Sequence, residues 1–136
     1  MGRLLAIDYG IKRTGLAVTD PLRIIATPLD TVATADLLNF LRSYFAHEAV
    51  DEVVIGMPRT VKNEDSETAP MVRTFIQIFK QTFTQPIHEI DERFTTRIAQ
   101  RAMIDGGMKK KDRREKGVVD RISATIILQD FMASRK

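Results

Sequence analysis

Leu4-Leu5-Ala6-Ile7-Asp8-Tyr9-Gly10, followed at once by Ile11-Lys12-Arg13-Thr14-Gly15-Leu16-Ala17-Val18-Thr19-Asp20, is the stretch that decides the fold. Four apolar residues in a row, an aspartate and then a glycine read as a buried strand with a carboxylate at its tip. The next apolar run, Leu16-Ala17-Val18, begins so soon afterwards that the chain doubles back as a hairpin. A buried strand is a rigid mount, and a carboxylate at its end is held where a metal ion or a phosphate can meet it. An aspartate in that place also serves simply as an acceptor for turn amides. The hairpin alone does not separate the two.

Similar signals continue outward from the hairpin. The first strand covers Arg3–Asp8 and the second Thr14–Thr19. Asp20-Pro21-Leu22 turns the chain into a third strand over Ile24–Leu29, which Pro28 marks as an edge. Thr34 is placed to cap a helix over 35–46, whose Leu37, Leu38, Leu41 and Phe45 share a face. Glu52–Met57 is a fourth strand, and the polar stretch Arg59–Ala69 is a loop. Pro70 opens a helix with a stripe of Val72, Phe75, Ile76, Phe79 and Phe83. Pro86–Ile90 forms the fifth strand and ends in Asp91-Glu92-Arg93. A helix over 96–104 stops at Gly106-Gly107, a basic loop runs over 108–117, and the last helix spans Val118 to Met132.

The expected architecture is α/β, in one domain over residues 1–136. A three-strand antiparallel meander is extended by two strands that follow helical crossovers and therefore run parallel to the first, with helices flanking the five-stranded sheet. Ligands on such sheets gather at the carboxyl ends of the strands. Asp8 and Asp91-Glu92 both fall there.

Composition bounds the function. At 43% hydrophobic and 29% charged residues, the 136-residue chain can bury a core without staples. It has no cysteine, which excludes disulfides and thiolate metal sites. Met1 leads straight into strand-like sequence and no apolar run reaches the length of a membrane span, so a cytoplasmic protein with no membrane partner is expected. The net charge of +3 is unevenly spread: residues 1–92 carry 9 basic and 13 acidic side chains, residues 93–136 carry 12 and 5. A basic third of this kind suits a polyanionic partner, though a solvated helix face gives the same count.

The acids form the second signal. Asp120 shares a helical stripe with Ala124, Ile127 and Phe131. An aspartate on an apolar stripe is costly to bury unless a cation or strong donor meets it. A Lys116–Asp120 pair would contribute only about 0.3–0.5 kcal/mol if exposed, too little to explain the placement. Carboxylates gathered at a sheet end are the material of Mg2+ or Mn2+ sites. Two such ions can activate water on one side of a phosphodiester and stabilise the leaving oxygen on the other. His47 and His88 occur singly, which argues against zinc. No Gly-x-Ser-x-Gly elbow is present, and Gly10/Gly15 fit neither a dinucleotide fingerprint nor a P-loop.

Asp8-Tyr9-Gly10-Ile11-Lys12-Arg13-Thr14-Gly15-Leu16-Ala17-Val18-Thr19-Asp20 closely resembles the opening motif of the YqgF family, also called RuvX. Gly56-Met57-Pro58, Asp91-Glu92-Arg93-Phe94-Thr95-Thr96 and Lys116-x-x-Val119-Asp120-x-x-Ser123-Ala124-x-x-Ile127-Leu128-Gln129 resemble its later motifs, in the family's order. Two places depart from it. Thr60-Val61-Lys62-Asn63-Glu64-Asp65 replaces an Asn-Met-Asp-Gly type of loop, and Ser123 stands where alanine is usual. The resemblance implies an RNase H-like fold related to Holliday-junction resolvases, with Asp8, Glu92 and Asp120 as catalytic, metal-binding acids and Asp91 in reserve. It also implies trimming of the 5′ end of precursor 16S ribosomal RNA in the bacterial cytoplasm, with resolution of branched DNA as the alternative.

Metal-assisted phosphodiester hydrolysis with two ions is the mechanism expected. Lys12, Arg13 and Arg93 stand near the acids in sequence, and Lys109, Lys110, Lys111, Arg113, Arg114 and Lys116 would hold the nucleic-acid backbone without reading bases. Two rivals come from other classes. A non-catalytic RNA-binding or ribosome-assembly module would bind in a salt-sensitive way and leave no cleavage products. An actin-like or sugar-kinase-like ATPase would need two such domains around a cleft. Symmetric junctions call for a two-fold homodimer and end-trimming does not, so monomer and homodimer both stay open.

Overall fold

The computed structural model describes residues 2–57, 68–91 and 116–134. Five strands form one mixed sheet: β1 (Arg3–Asp8), β2 (Arg13–Thr19), β3 (Ala26–Ala33), β4 (Val50–Met57) and β5 (Ile87–Asp91). Their order is β3-β2-β1-β4-β5. β1–β2 and β2–β3 pair antiparallel, while β1–β4 and β4–β5 pair parallel. This is the sheet expected from the sequence. α1 (Leu37–His47) and α2 (Ala69–Thr82) supply the crossovers into β4 and β5, and α3 (Lys116–Ser134) lies across β1, β2 and β3. Among the described residues no helix is long and apolar enough to cross a membrane.

The unbroken run Leu4-Leu5-Ala6-Ile7 has a simple cause. β1 is central and covered on both faces, so neither parity of its side chains meets water. Leu5 and Ile7 join Leu16, Val53, Ile55, Phe75 and Phe79 on the side of α1 and α2. Leu4 and Ala6 join Ala17, Val54, Ala124, Ile127, Leu128 and Phe131 on the side of α3. Small residues on that second face, Ala6 and Ala17 among them, leave room for α3 to come close. The stripe of α2 is buried as its spacing requires, with Phe83 partly covered at its end.

Several boundaries differ from the sequence reading. β3 starts at Ala26 rather than Ile24 and continues to Ala33. The reason lies in Asp20, whose carboxylate accepts hydrogen bonds from the amides of Leu22, Ile24 and Ile25 at 3.2, 2.8 and 2.8 Å. Those amides are thereby taken from any strand ladder, and Leu22, Ile24 and Ile25 stand exposed on a turn. Beyond Pro28, β3 keeps pairing with β2 to Arg13↔Ala33, after an irregularity between Leu16 and Ala17. It is an edge strand, as Pro28 indicated. Thr34 does not cap α1; it opens a short 3-10 turn, Thr34–Asp36, and its hydroxyl is used elsewhere. α3 starts at Lys116, so the basic loop expected through Gly117 gives way to helix earlier. The helix expected over 96–104 lies outside the described residues.

The Asp20 turn is an acid-sensitive end of the molecule. The Ile25 amide, with help from Ile24 and Leu22, holds the Asp20 carboxyl below its ordinary pKa. The Gly2 amide and then the Arg23 guanidinium do the same for Asp51. Depressed folded-state values mean stability that is present above the unfolded carboxylate pKa of about 4 and lost as pH falls through the lower folded values. Thermal denaturation between pH 5 and pH 3 is expected to show a falling midpoint, with a shallower fall in Asp20→Ala.

Candidate active site at the carboxyl end of the sheet

β1, β4 and β5 run parallel, so Asp8, Met57 and Asp91 end at one edge of the sheet, and antiparallel β2 begins there with Arg13. Asp8 is paired directly with Gly15. Opposed residues of a ladder put their side chains on the same face. Gly15 marks what lies over that face. A Cβ built on it would sit 2.1 Å from the carbonyl oxygen of Asp120, 2.3 Å from its carbonyl carbon and 2.9 Å from its Cβ. The backbone of α3 therefore rests on β2 at the one residue without a side chain. Asp8 on β1 and Asp120 on α3 are gathered around that contact, although 112 residues separate them in sequence.

Asp120 keeps the expected stripe with Ala124, Ile127 and Phe131, all buried. Its own side chain is 23% exposed, and its partner is Arg13, whose Nε donates to Oδ2 at 2.9 Å. The sequence called for a cation or strong donor at Asp120, and the structure supplies Arg13 from β2. The strand-to-strand turn that carries Lys12 and Arg13 is locked. A Cβ on Gly10 would meet the Arg13 carbonyl oxygen at 2.2 Å, so glycine lets the turn close. Thr34 Oγ1 donates to the Gly10 carbonyl at 2.6 Å and lies 2.9 Å from Thr14 Oγ1, and the Thr34 amide donates to the Lys12 carbonyl at 3.0 Å. Sequence reasoning missed this role of Thr14 and Thr34. The bonds span 20 and 24 residues, and neither threonine carries a local sign of them.

Tyr9 points to the other face, its ring 5.3 Å from that of Phe75. There it borders an apolar cleft of about 290 Å³ with Leu37, Leu38, Met71 and Ile78. Burial pushes its hydroxyl above the ordinary tyrosine pKa. His88 is bonded through Nε2 to Glu52 Oε1 at 2.9 Å and packs on Phe131, away from the edge that carries Asp8.

Of the residues singled out from the sequence, Asp8 pairs with the glycine on which the Asp120 backbone rests, Arg13 is bonded to Asp120, and Lys12 lies in the turn just before Arg13. Asp91 ends β5 beside Met57 on the same edge, two strands from β1. That is on the order of 10 Å at ordinary strand spacing. Lys116 is the first residue of α3. Glu92, Arg93, Lys109, Lys110, Lys111, Arg113 and Arg114 lie outside the described residues. Among the described residues no three of Asp, Glu and His are grouped closely enough to hold an ion.

A family model described as RuvX, Holliday junction resolvase, matches residues 2–134. The chain belongs to the RuvX family. It is a nuclease of that family, and its relatives agree along their whole length. A protein of Bacteroides thetaiotaomicron is 48% identical over 137 residues, covering 100% of this chain and 99% of its own. One of Porphyromonas gingivalis is 52% identical over 133 residues, covering 97% and 96%. Both carry the name "Putative pre-16S rRNA nuclease". Among solved structures, this RuvX chain is similar in fold to the Fowlpox virus resolvase in complex with substrate Holliday junction DNA. The TM-score is 0.63 at 12% identity, with 98% of each chain covered. A second crystal structure, of the Fowlpox virus Holliday junction resolvase, gives a TM-score of 0.54 at 15% identity, covering 97% of this chain and 99% of that one.

Proposed function

We propose that this RuvX-family protein is a divalent-metal-dependent nuclease that trims the 5′ end of precursor 16S ribosomal RNA in the cytoplasm. The observation that supports the site is the seating of the Asp120 backbone on Gly15, the ladder partner of Asp8 at the carboxyl end of β1. Two carboxylates on one rigid edge offer hard oxygen donors, the chemistry that Mg2+ or Mn2+ requires. Asp8 and Asp120 would hold the ions, with Glu92 as third ligand. The match of Asp91-Glu92-Arg93-Phe94-Thr95-Thr96 to the family's motif supports Glu92 over Asp91.

When bound, such ions supply an activated water and offset charge on the leaving oxygen. The chain's own residues orient the substrate. Lys12 and Arg13, on a turn fixed by Thr34, would meet phosphates flanking the cut. Arg93 and the basic segment with Lys109, Lys110, Lys111, Arg113, Arg114 and Lys116 would hold more distant phosphates, so that affinity falls steeply with salt. Names of full-length relatives support the ribosomal substrate, and the description of the family model supports branched DNA as the second reading.

The test is cleavage of a precursor 16S fragment and of a four-way junction with Mg2+, Mn2+ or chelator. Chelator is expected to abolish cleavage. Asp8→Asn and Asp120→Asn are each expected to slow it by about 100-fold or more, since each removes a charged ligand from the charge-stabilising centre. Undiminished cleavage by both variants overturns the assignment, and faster cleavage of the junction than of the RNA replaces the first substrate with the second.

A further inference from the structure

The bond from Arg13 to Asp120 gives the site two states. Both backbones are fixed. Arg13 starts β2, paired with Ala33 and held by the Gly10 turn, while Asp120 is pressed against Gly15. What can move is the long Arg13 side chain, 40% exposed, against a carboxylate 23% exposed. Its Nε lies 2.9 Å from Oδ2. A carboxylate that binds a divalent ion presents these same oxygens to it, and a guanidinium held so close would face the ion's charge with repulsion.

We propose that Arg13 is the resident counter-ion of Asp120 and competes with the divalent cation for its carboxylate. A nucleic-acid phosphate that draws Arg13 away then raises the affinity of the site for the cation. Planar guanidinium suits both partners, since it bonds carboxylate and phosphate alike. By linkage, cation and nucleic acid favour each other's binding through this one side chain. The proposal rests on the reading of Asp120 as a metal ligand, and its test separates the two.

Mn2+ alone is titrated calorimetrically into the parent protein, Arg13→Gln, Arg13→Lys, Asp120→Asn and the Arg13→Gln/Asp120→Asn double variant. Arg13→Gln is expected to bind Mn2+ roughly three- to fivefold more tightly than the parent, the equivalent of a part-exposed ion pair. Arg13→Lys, which keeps the charge without the planar donors, is expected to fall between them. Asp120→Asn is expected to lose about tenfold or more, and the double variant to match it, because the competition runs through that carboxylate. A short single-stranded DNA, measured against a protein-free blank, is expected to raise Mn2+ affinity in the parent and leave Arg13→Gln unmoved. Unchanged or weaker Mn2+ binding by Arg13→Gln and Arg13→Lys, with Asp120→Asn still impaired, overturns the counter-ion role alone. So does an equal gain from Arg13→Gln in the Asp120→Asn background. Mn2+ binding unaffected by Asp120→Asn instead overturns the metal-site reading.

Discussion

Gly15→Ala is expected to lower the thermal midpoint by ~10 °C or more and to lose nuclease activity beyond what the loss of folded protein explains. The added methyl would lie 2.1 and 2.3 Å from the carbonyl oxygen and carbon of Asp120. Neither atom is the end of a flexible side chain. Both belong to the backbone of α3, so the helix must shift as a body or the β1–β2 ladder must bend. Overpacking usually costs about 1–3 kcal/mol, and a contact this short against backbone falls at or above the top of that range. The displaced helix carries Asp120 away from Asp8 and from Arg13. Cleavage measured well below the variant's own midpoint separates the two effects. A variant with the parent's midpoint and the parent's rate shows that α3 is not seated on Gly15.

Phe79→Ala is expected to destabilise as strongly and to leave the chemistry alone. Phe79 is fully buried, and its ring lies 6.2 Å from Phe45, 6.2 Å from Phe75 and 4.9 Å from Phe83. Removing a ring from such a cluster costs about 3–5 kcal/mol, through lost transfer energy and the cavity left behind. The cluster ties α2 to α1 and to the far face of the sheet. Asp8 pairs with Gly15 and faces α3 on the opposite side. Denaturant unfolding should therefore show a midpoint well below the parent's, while the cleavage rate per folded molecule in the absence of denaturant stays within about twofold. Set beside Gly15→Ala, this pair distinguishes the half of the core that holds the fold from the half that positions the acids. A loss of rate per folded molecule equal to that of Gly15→Ala removes the distinction.

The four apolar residues of β1 and the glycines that follow placed a buried strand, a hairpin and an aspartate at its tip without any knowledge of the rest of the chain. The stripes of α1, α2 and α3 were legible too, because helical periodicity is written within a dozen residues. The four family motifs extended that reading over the chain, and the family model covers the same span. Where the reading slipped, a side chain had bonded across the turn or across the sheet. Asp20 took the amides of Ile24 and Ile25 and delayed β3 to Ala26. Thr34 read as a cap, because nothing near it in sequence announces a bond to Gly10.

What the sequence by itself determined was the five strands, the helices α1, α2 and α3, and the strand end at which Asp8 emerges, since periodicity and turn chemistry are local. Only the tertiary structure decided that Arg13 is bonded to Asp120, and that Gly15 is where α3 touches the sheet. Both depend on how closely two elements can approach once every neighbouring side chain has its volume. That closeness is a property of the packed whole, and no window of the sequence contains it.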